Sequence, residues 1–203
     1  MIEFVNLHKS FGQQRVLNGI NLTIPHGQIT AIIGQSGSGK SVLIKHLVAL
    51  IRPDSGQVLV DGAELGQLHG KALDLVREKF GVLFQGGALF DSMTLFDNVA
   101  FPLREKTRLA EAEIAKRAIQ RLEAVGLADM GHKYPAELSG GMKKRAALAR
   151  ALAQDPTIIL FDEPTTGLDP ILVNSIHRLI LDAHKRFGFT AVVVSHEIPE
   201  IFD

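Results

Sequence analysis

The chain has 203 residues, with 22 Lys and Arg against 22 Asp and Glu and 46% hydrophobic residues, the balance of a globular chain rather than a disordered or fibrous one. At this length roughly 70% of the surface exposed by the unfolded chain can be buried, so a core needs neither disulfides nor a structural metal. Zero net charge and the absence of cysteine argue against nucleic acid as the main partner, remove thiolate zinc sites and thiol catalysis, and are compatible with a reducing cytosol.

The amino terminus, Met1-Ile2-Glu3-Phe4-Val5, has no basic segment followed by an apolar core. No apolar run approaches the roughly 18 residues that span a bilayer, so membrane contact is expected only through partners. Apolar, β-branched stretches predict strands at 20–24, 29–33 and 58–60, with turns at Pro25-His26-Gly27 and Asp54-Ser55-Gly56. With little helix between them, the early strands are expected to be antiparallel and separate from a later parallel set, giving a mixed sheet. Helical periodicity covers 41–50. A strand at 81–84 is followed, over about 86–154, mainly by helix and loop. That region opens at Thr94-Leu95-Phe96-Asp97, where Thr94 can cap a helix and Asp97 lies near the positive end of its dipole. Helices are predicted at about 110–125, 143–153 and 172–186, and strands at 158–161 and 191–194. Stretches 29–33, 158–161 and 191–194 are apolar almost throughout, as in strands buried on both faces of a parallel sheet. The alternation predicts an α/β fold with a parallel core, an antiparallel β subdomain and an inserted helical subdomain.

Gly34-Gln35-Ser36-Gly37-Ser38-Gly39-Lys40-Ser41 follows an apolar strand and opens a helix, which is the context a phosphate loop requires. Its glycines permit backbone N–H groups to converge on one anion, Lys40 reaches outer phosphates, and Ser41 offers a hydroxyl to magnesium. The apolar strand ending at Phe161 runs into Asp162 and Glu163, at the kind of strand end where open α/β sheets bind ligands. Two such charges about 4 Å apart repel by about 4 kcal/mol at an effective dielectric of 20, a conflict that a divalent cation resolves. Asp162 is therefore assigned to the metal shell and Glu163 to polarising an attacking water, because strand alternation points neighbours in different directions. Leu138-Ser139-Gly140-Gly141-Met142 precedes a basic helix that starts Lys143-Lys144-Arg145. Alone it reads as an N-capped helix start; beside a phosphate loop, Ser139 and the glycine amides form a second anion cradle.

In this order the segments resemble the nucleotide-binding subunit of ATP-binding cassette (ABC) transporters over essentially the whole chain. Gly34 to Ser41 are similar to Walker A, Gln85 to the Q-loop, and Leu138 to Met142 to the signature. Residues 158–162 with Glu163 are similar to Walker B, Gly167-Leu168-Asp169 to the D-loop, and His196 to the H-loop. The resemblance implies a single cassette domain over 1–203 that binds and hydrolyses ATP with Mg2+. It implies that Phe11 stacks on adenine, that Gln85 touches metal and attacking water, that His196 contacts the terminal phosphate, and that Asp169 communicates across a dimer. Each ATP would lie between Walker A of one subunit and Ser139, Gly140 and Gly141 of the other.

Met142, where most members have Gln, and the segment Gly86-Gly87-Ala88-Leu89-Phe90-Asp91-Ser92-Met93-Thr94-Leu95-Phe96 are similar to the Mla-type phospholipid-transport ATPases. That implies a peripheral position on the cytoplasmic face of a bacterial inner membrane, multispan permease partners and a periplasmic lipid-binding subunit. Leu89, Phe90, Met93, Leu95 and Phe96 are candidate docking residues for the permease, with subdomain core as the other reading. An importer or exporter subunit for another solute shares every catalytic residue. A soluble ABC ATPase acting on ribosomes or DNA is disfavoured by the zero net charge and the lack of a tandem cassette. The chain ends at Ile201-Phe202-Asp203, just where a helix after Pro199 is expected, and is read as shortened relative to the family.

Overall fold

The computed structural model describes residues 1–196; the helix expected after Pro199 lies outside the described residues. Two sheets organise the chain. Strands β1 (Ile2–Phe11), β2 (Gln14–Ile24), β4 (Ser55–Val60) and the short β5 (Ala63–Glu64) form one sheet in the order β2-β1-β4-β5, with every pairing antiparallel. Strands β3 (Ile29–Ile33), β6 (Phe80–Leu83), β7 (Ile158–Asp162) and β8 (Thr190–Ser195) form the other, ordered β3-β8-β7-β6 and wholly parallel. The expected antiparallel and parallel sets are both present. They form separate sheets rather than one mixed sheet, because the 29–33 strand, early in sequence, hydrogen-bonds to β8.

Burial separates the parallel strands. β8 is buried along its whole length and β7 along all but its last residue. In contrast to the prediction for 29–33, β3 is an edge strand with Ala31 and Ile33 exposed. Apolar content alone does not distinguish a central strand from an edge one.

The helices are α1 (Lys40–Leu47), α2 (Gly70–Arg77), α3 (Leu95–Lys106), α4 (Glu111–Ala124), α5 (Gly140–Ala151) and α6 (Pro170–Phe187). Between β6 and β7 lie α3, α4 and α5, which share a core with Phe161, Ala191 and Val193 of the sheet and Ile176 and Ile180 of α6. On the other face, Ile158, Leu160, Val192 and Val194 pack with Leu43, Ile44 and Leu47 of α1 and with Ile2, Phe4 and Val58 of the antiparallel sheet. The parallel sheet is the middle of three layers. Successive residues of β7 and β8 face opposite cores, as the period of two requires.

Local chemistry sets the helix starts. Thr94 accepts a hydrogen bond from Asp97 N (3.1 Å) and donates to the Asp97 carboxylate (2.6 Å), closing the first turn of α3. Asp169 accepts from the amides of Ile171 and Leu172, each at 3.1 Å, with Pro170 at the first position of α6. Both are caps that satisfy otherwise orphaned N–H groups.

Candidate functional site

All four parallel strands end at one edge of the molecule, and each contributes to the same cleft. β3 runs into Gly34, β6 into Gln85, β7 into Asp162 and Glu163, and β8 into His196. The cleft, of about 420 Å³, is lined by Phe11, Ser36, Gly37, Gly39, Lys40, Ser41, Gln85, Glu163 and His196 among the predicted residues, and by Val16, Val42 and Thr166. It lies just outside the carboxyl ends of a parallel sheet, where such folds bind ligands.

The loop is shaped by conformations that side chains disfavour. Gly39 has φ +94, and a Cβ there would meet Val16 Cγ1 at 2.9 Å and the Val16 carbonyl oxygen at 3.1 Å. Glycine is required both by the left-handed backbone and by the close approach. Lys40 is buried, and its ammonium donates to the carbonyls of Gly34 (2.6 Å) and Gln35 (2.9 Å), curling over its own loop and ending 3.8 Å from Glu163 Oε1. Ser36, Gly37 and Ser38 are exposed on the outer turn.

Beneath the loop, Ser41 donates its hydroxyl to Asp162 Oδ1 at 2.8 Å, joining two elements 121 residues apart in sequence. The strand stops there. Glu163 adopts φ +53, a left-handed conformation uncommon for a side-chain-bearing residue. The two carboxylates therefore diverge because the chain turns sharply after Asp162, not because of the strand alternation expected from sequence. Glu163 Oε2 receives Thr166 Oγ1 at 2.9 Å and contacts His196 Nδ1 at 2.6 Å. Burial works to raise the Glu163 pKa, but the hydrogen bonds from His196 and Thr166 and the nearby charges of His196 and Lys40 outweigh it and hold the carboxyl below its ordinary value. Glu163 is thus an ionised acceptor within the cleft.

Phe11 is half exposed at the mouth, with the Lys9 ammonium 5.5 Å from its ring centroid. Ser139, Gly140 and Gly141 are not among the residues lining the cleft, nor is Asp169. Ser139 is exposed and accepts from Met142 N at 3.3 Å, capping α5, while a Cβ on Gly140 would meet Leu168 at 3.2 Å and one on Gly141 would meet Leu172 at 3.4 Å. The two anion cradles therefore do not close on one another within a single chain.

Of the five apolar residues expected after Gln85, Leu95 is fully buried, and Leu89 and Phe96 are partly buried against the same core. Phe90 is exposed, with its ring 4.9 Å from Phe101 and the Arg150 guanidinium 5.8 Å from its centroid. Thr166 was missed by the sequence reading; its position three residues after Glu163 in a turn was the available signal. Lys144 was also missed: it is buried, and it donates to the Gln85 carbonyl.

A phosphate loop on an exposed strand end, a hydroxyl–carboxylate pair beneath it and an ionised carboxylate beside it define a phosphate-loop nucleotide-binding cassette. The ABC transporter family profile matches residues 17–166, and the chain belongs to that family. It is 48% identical, over 97% of its length, to the Mycobacterium tuberculosis protein named "Probable ribonucleotide transport ATP-binding protein mkl", of which it covers 55%. It is 46% identical, over 94% of its length and 71% of the relative, to the Escherichia coli intermembrane phospholipid transport system ATP-binding protein MlaF. Among solved structures, a dimeric ABC cassette in a post-hydrolysis state bound to ADP and phosphate superposes with a TM-score of 0.86 and 35% identity, covering 97% of this chain and 88% of that one. A Clostridium perfringens cassette from the transporter complex cbiONQ superposes with 0.88 and 33% identity, covering 97% of this chain and 78% of that one. The chain spans about half the length of the mycobacterial relatives it matches.

Proposed function

We propose that the chain is the ATP-hydrolysing motor domain of a membrane transporter that moves phospholipid between membranes. The observation that carries the motor reading is the convergence of Lys40, the Ser41–Asp162 pair and the Glu163–His196 pair in one cleft at the ends of four parallel strands. Lys40 and the loop amides bind the phosphates; Phe11, half exposed at the mouth, stacks on adenine. Ionised Glu163 accepts the proton of an attacking water, and His196 and Thr166 fix its orientation. His196 and Gln85 line the same cleft, which supports their contact with the terminal phosphate.

The donor set fits magnesium. A hydroxyl and a carboxylate oxygen already meet at 2.8 Å, both hard oxygens, with Gln85 across the cleft. No cluster of three acidic or imidazole side chains occurs among the described residues, so Ser41 and Asp162 would hold the ion together with phosphate oxygens. When bound, the ion neutralises phosphate charge and polarises the transferred group.

Placement supports the dimer. Ser139, Gly140 and Gly141 form a capped helix start outside the cleft, so they complete a site only by meeting the nucleotide of a second copy, and Asp169 stands at the start of α6 to report on that contact. The dimeric state named for a superposing cassette agrees with this arrangement. Phospholipid cargo rests on the MlaF relatives, with permease and periplasmic lipid-binding subunits as the expected partners at the cytoplasmic face of the inner membrane. No helix among the described residues is long and apolar enough to cross a membrane, and exposed Phe90 is the apolar contact offered to the permease. Ribonucleotide, the cargo named for the mycobacterial relative, is the second reading.

The test uses full-length protein. Glu163→Gln should retain ATP binding and lose turnover by roughly 10²–10⁴-fold, as for removal of a general base. Turnover equal to the parent's would remove Glu163 from that role. Co-purification of phospholipid and a permease from native membranes supports the cargo; a solute-binding protein without lipid, or bound ribonucleotide, overturns it.

A further inference from the structure

Lys144 lies on α5 one turn beyond the Gly140–Gly141 start, facing the sheet and only 6% exposed. Its ammonium has no carboxylate in ion-pair contact among the described residues and donates to the backbone carbonyl of Gln85. Burial lowers its pKa, while the charges of Asp162 and Glu163 draw it the other way. An apolar side chain would occupy this place without the desolvation that a buried ammonium incurs, so packing alone does not account for a lysine here. The same helix holds the same turn a second time: Arg150 donates to the carbonyls of Gly87 (2.9 Å) and Ala88 (2.6 Å). Gly87 and Ala88 both have positive φ, at 76 and 48.

Three carbonyls of the 85–88 turn are thus captured by two cations of α5. α5 is itself pressed onto β6, where a Cβ on Gly81 would lie 2.5 Å from the Ala151 carbonyl oxygen. The helix that presents Ser139 and the turn that presents Gln85 are tied into one unit.

We propose that Lys144 is a positioning residue that clamps the Gln85 turn to the signature helix, so that Gln85 enters the cleft in register with the Ser139 cradle offered to the second subunit. The proposal rests on the ATPase reading above. An ammonium fixing a backbone carbonyl orients the attached side chain without touching substrate, so its loss should slow the chemical step and leave nucleotide binding to the Lys40 loop.

The test measures kcat, KM for ATP, ATP affinity and Tm in the full-length parent, Lys144→Met and Lys144→Arg. Lys144→Met should fold with an unchanged or higher Tm, bind ATP within about threefold of the parent and lose at least about tenfold in kcat; Lys144→Arg, which restores a cationic donor, should recover most of that loss. Turnover of Lys144→Met within about twofold of the parent overturns the proposal, as does a parallel loss of kcat, affinity and Tm in both variants. Should Lys144→Met not fold, Lys144→Leu is read by the same criteria. Failure of both to fold while Lys144→Arg folds assigns a structural role and overturns the proposal. A parent that hydrolyses no ATP overturns the ATPase reading itself, an outcome distinct from an active parent with an equally active Lys144→Met.

Discussion

His46 is a buried histidine outside the cleft. It is 1% exposed, its Nδ1 lies 2.8 Å from the Val42 carbonyl, and its Nε2 is within hydrogen-bonding geometry of no group among the described residues. A carbonyl only accepts, so Nδ1 carries the proton and Nε2 is the bare acceptor of a neutral ring. Burial is the leading cause of a lowered pKa, helped by Lys9 and opposed by the Val42 hydrogen bond, by Asp54 and by the Arg52 backbone. Because the folded-state pKa is below the unfolded one, the unfolded chain takes up the proton first as pH falls. The stability contributed by neutral His46 is complete above the unfolded value near 6.5 and is lost as pH falls through the folded value. Denaturant titrations between pH 7.5 and pH 5.5 should show a larger loss of stability in the parent than in His46→Leu. Equal losses would assign the pH dependence to other groups.

The cleft residues show what one sequence displays and what it hides. Lys40, Ser41, Asp162 and Glu163 were legible because each stands at a fixed offset from an apolar strand, and contiguous residues carry that signal. Thr166 and Lys144 were not, since their roles come from a reversal of the chain and from a contact across 59 residues. The left-handed Glu163 was equally invisible: periodicity describes a strand and not how it ends.

Among the elements, the start of α3 depends on a side chain that composition does not advertise. Asn98 is fully buried; its Oδ1 accepts from Phe90 N at 2.8 Å, and its Nδ2 donates to the carbonyls of Phe90, Met93 and Thr94 at 3.0 to 3.2 Å. One amide therefore satisfies the backbone of the loop that carries Phe90. Replacing Asn98 with Ala takes the side-chain partner from Phe90 N and from the Met93 carbonyl, while the carbonyls of Phe90 and Thr94 keep the amides of Met93 and residue 98; at about 1–3 kcal/mol for each group left unsatisfied where water does not enter, a loss of about 2 kcal/mol is expected in urea titrations. Amide exchange in the 90–94 loop should accelerate in the same variant. A change below about 0.5 kcal/mol, the usual range for surface substitutions, would show that the loop holds itself.

The Thr94 cap was readable from sequence because capping acts within one turn. β1 was missed because Asn6, at φ +46, bulges the strand between Phe4 and Leu7, where the pairing register shifts and the apolar alternation breaks. α2 carries Ala72, Leu73, Leu75 and Val76 at helical spacing, but over only eight residues, too short a stretch for the period to decide, and only Val76 is buried.

At the scale of the molecule, the parallel sheet is shared between two cores. Ile159 and Phe161 belong to the helical side, and Ile158 and Leu160 to the side of α1 and the antiparallel sheet. Ile159→Ala and Leu160→Ala should each cost about 2–5 kcal/mol and lower Tm by roughly 2–4 °C per kcal/mol for a chain of this size. Thermal melts followed at two wavelengths should show one coincident transition in both variants. A second transition in either would mean that the layers come apart independently.

Shared walls also determine how damage spreads. The strand ends that hold Gly34, Gln85, Glu163 and His196 are the rim of the same partition. A cavity opened on either side loosens that rim before it empties the folded population. Substitutions far from the cleft should therefore reveal themselves as slowed ATP turnover at temperatures where the protein still counts as native, so that rate and not solubility registers them first.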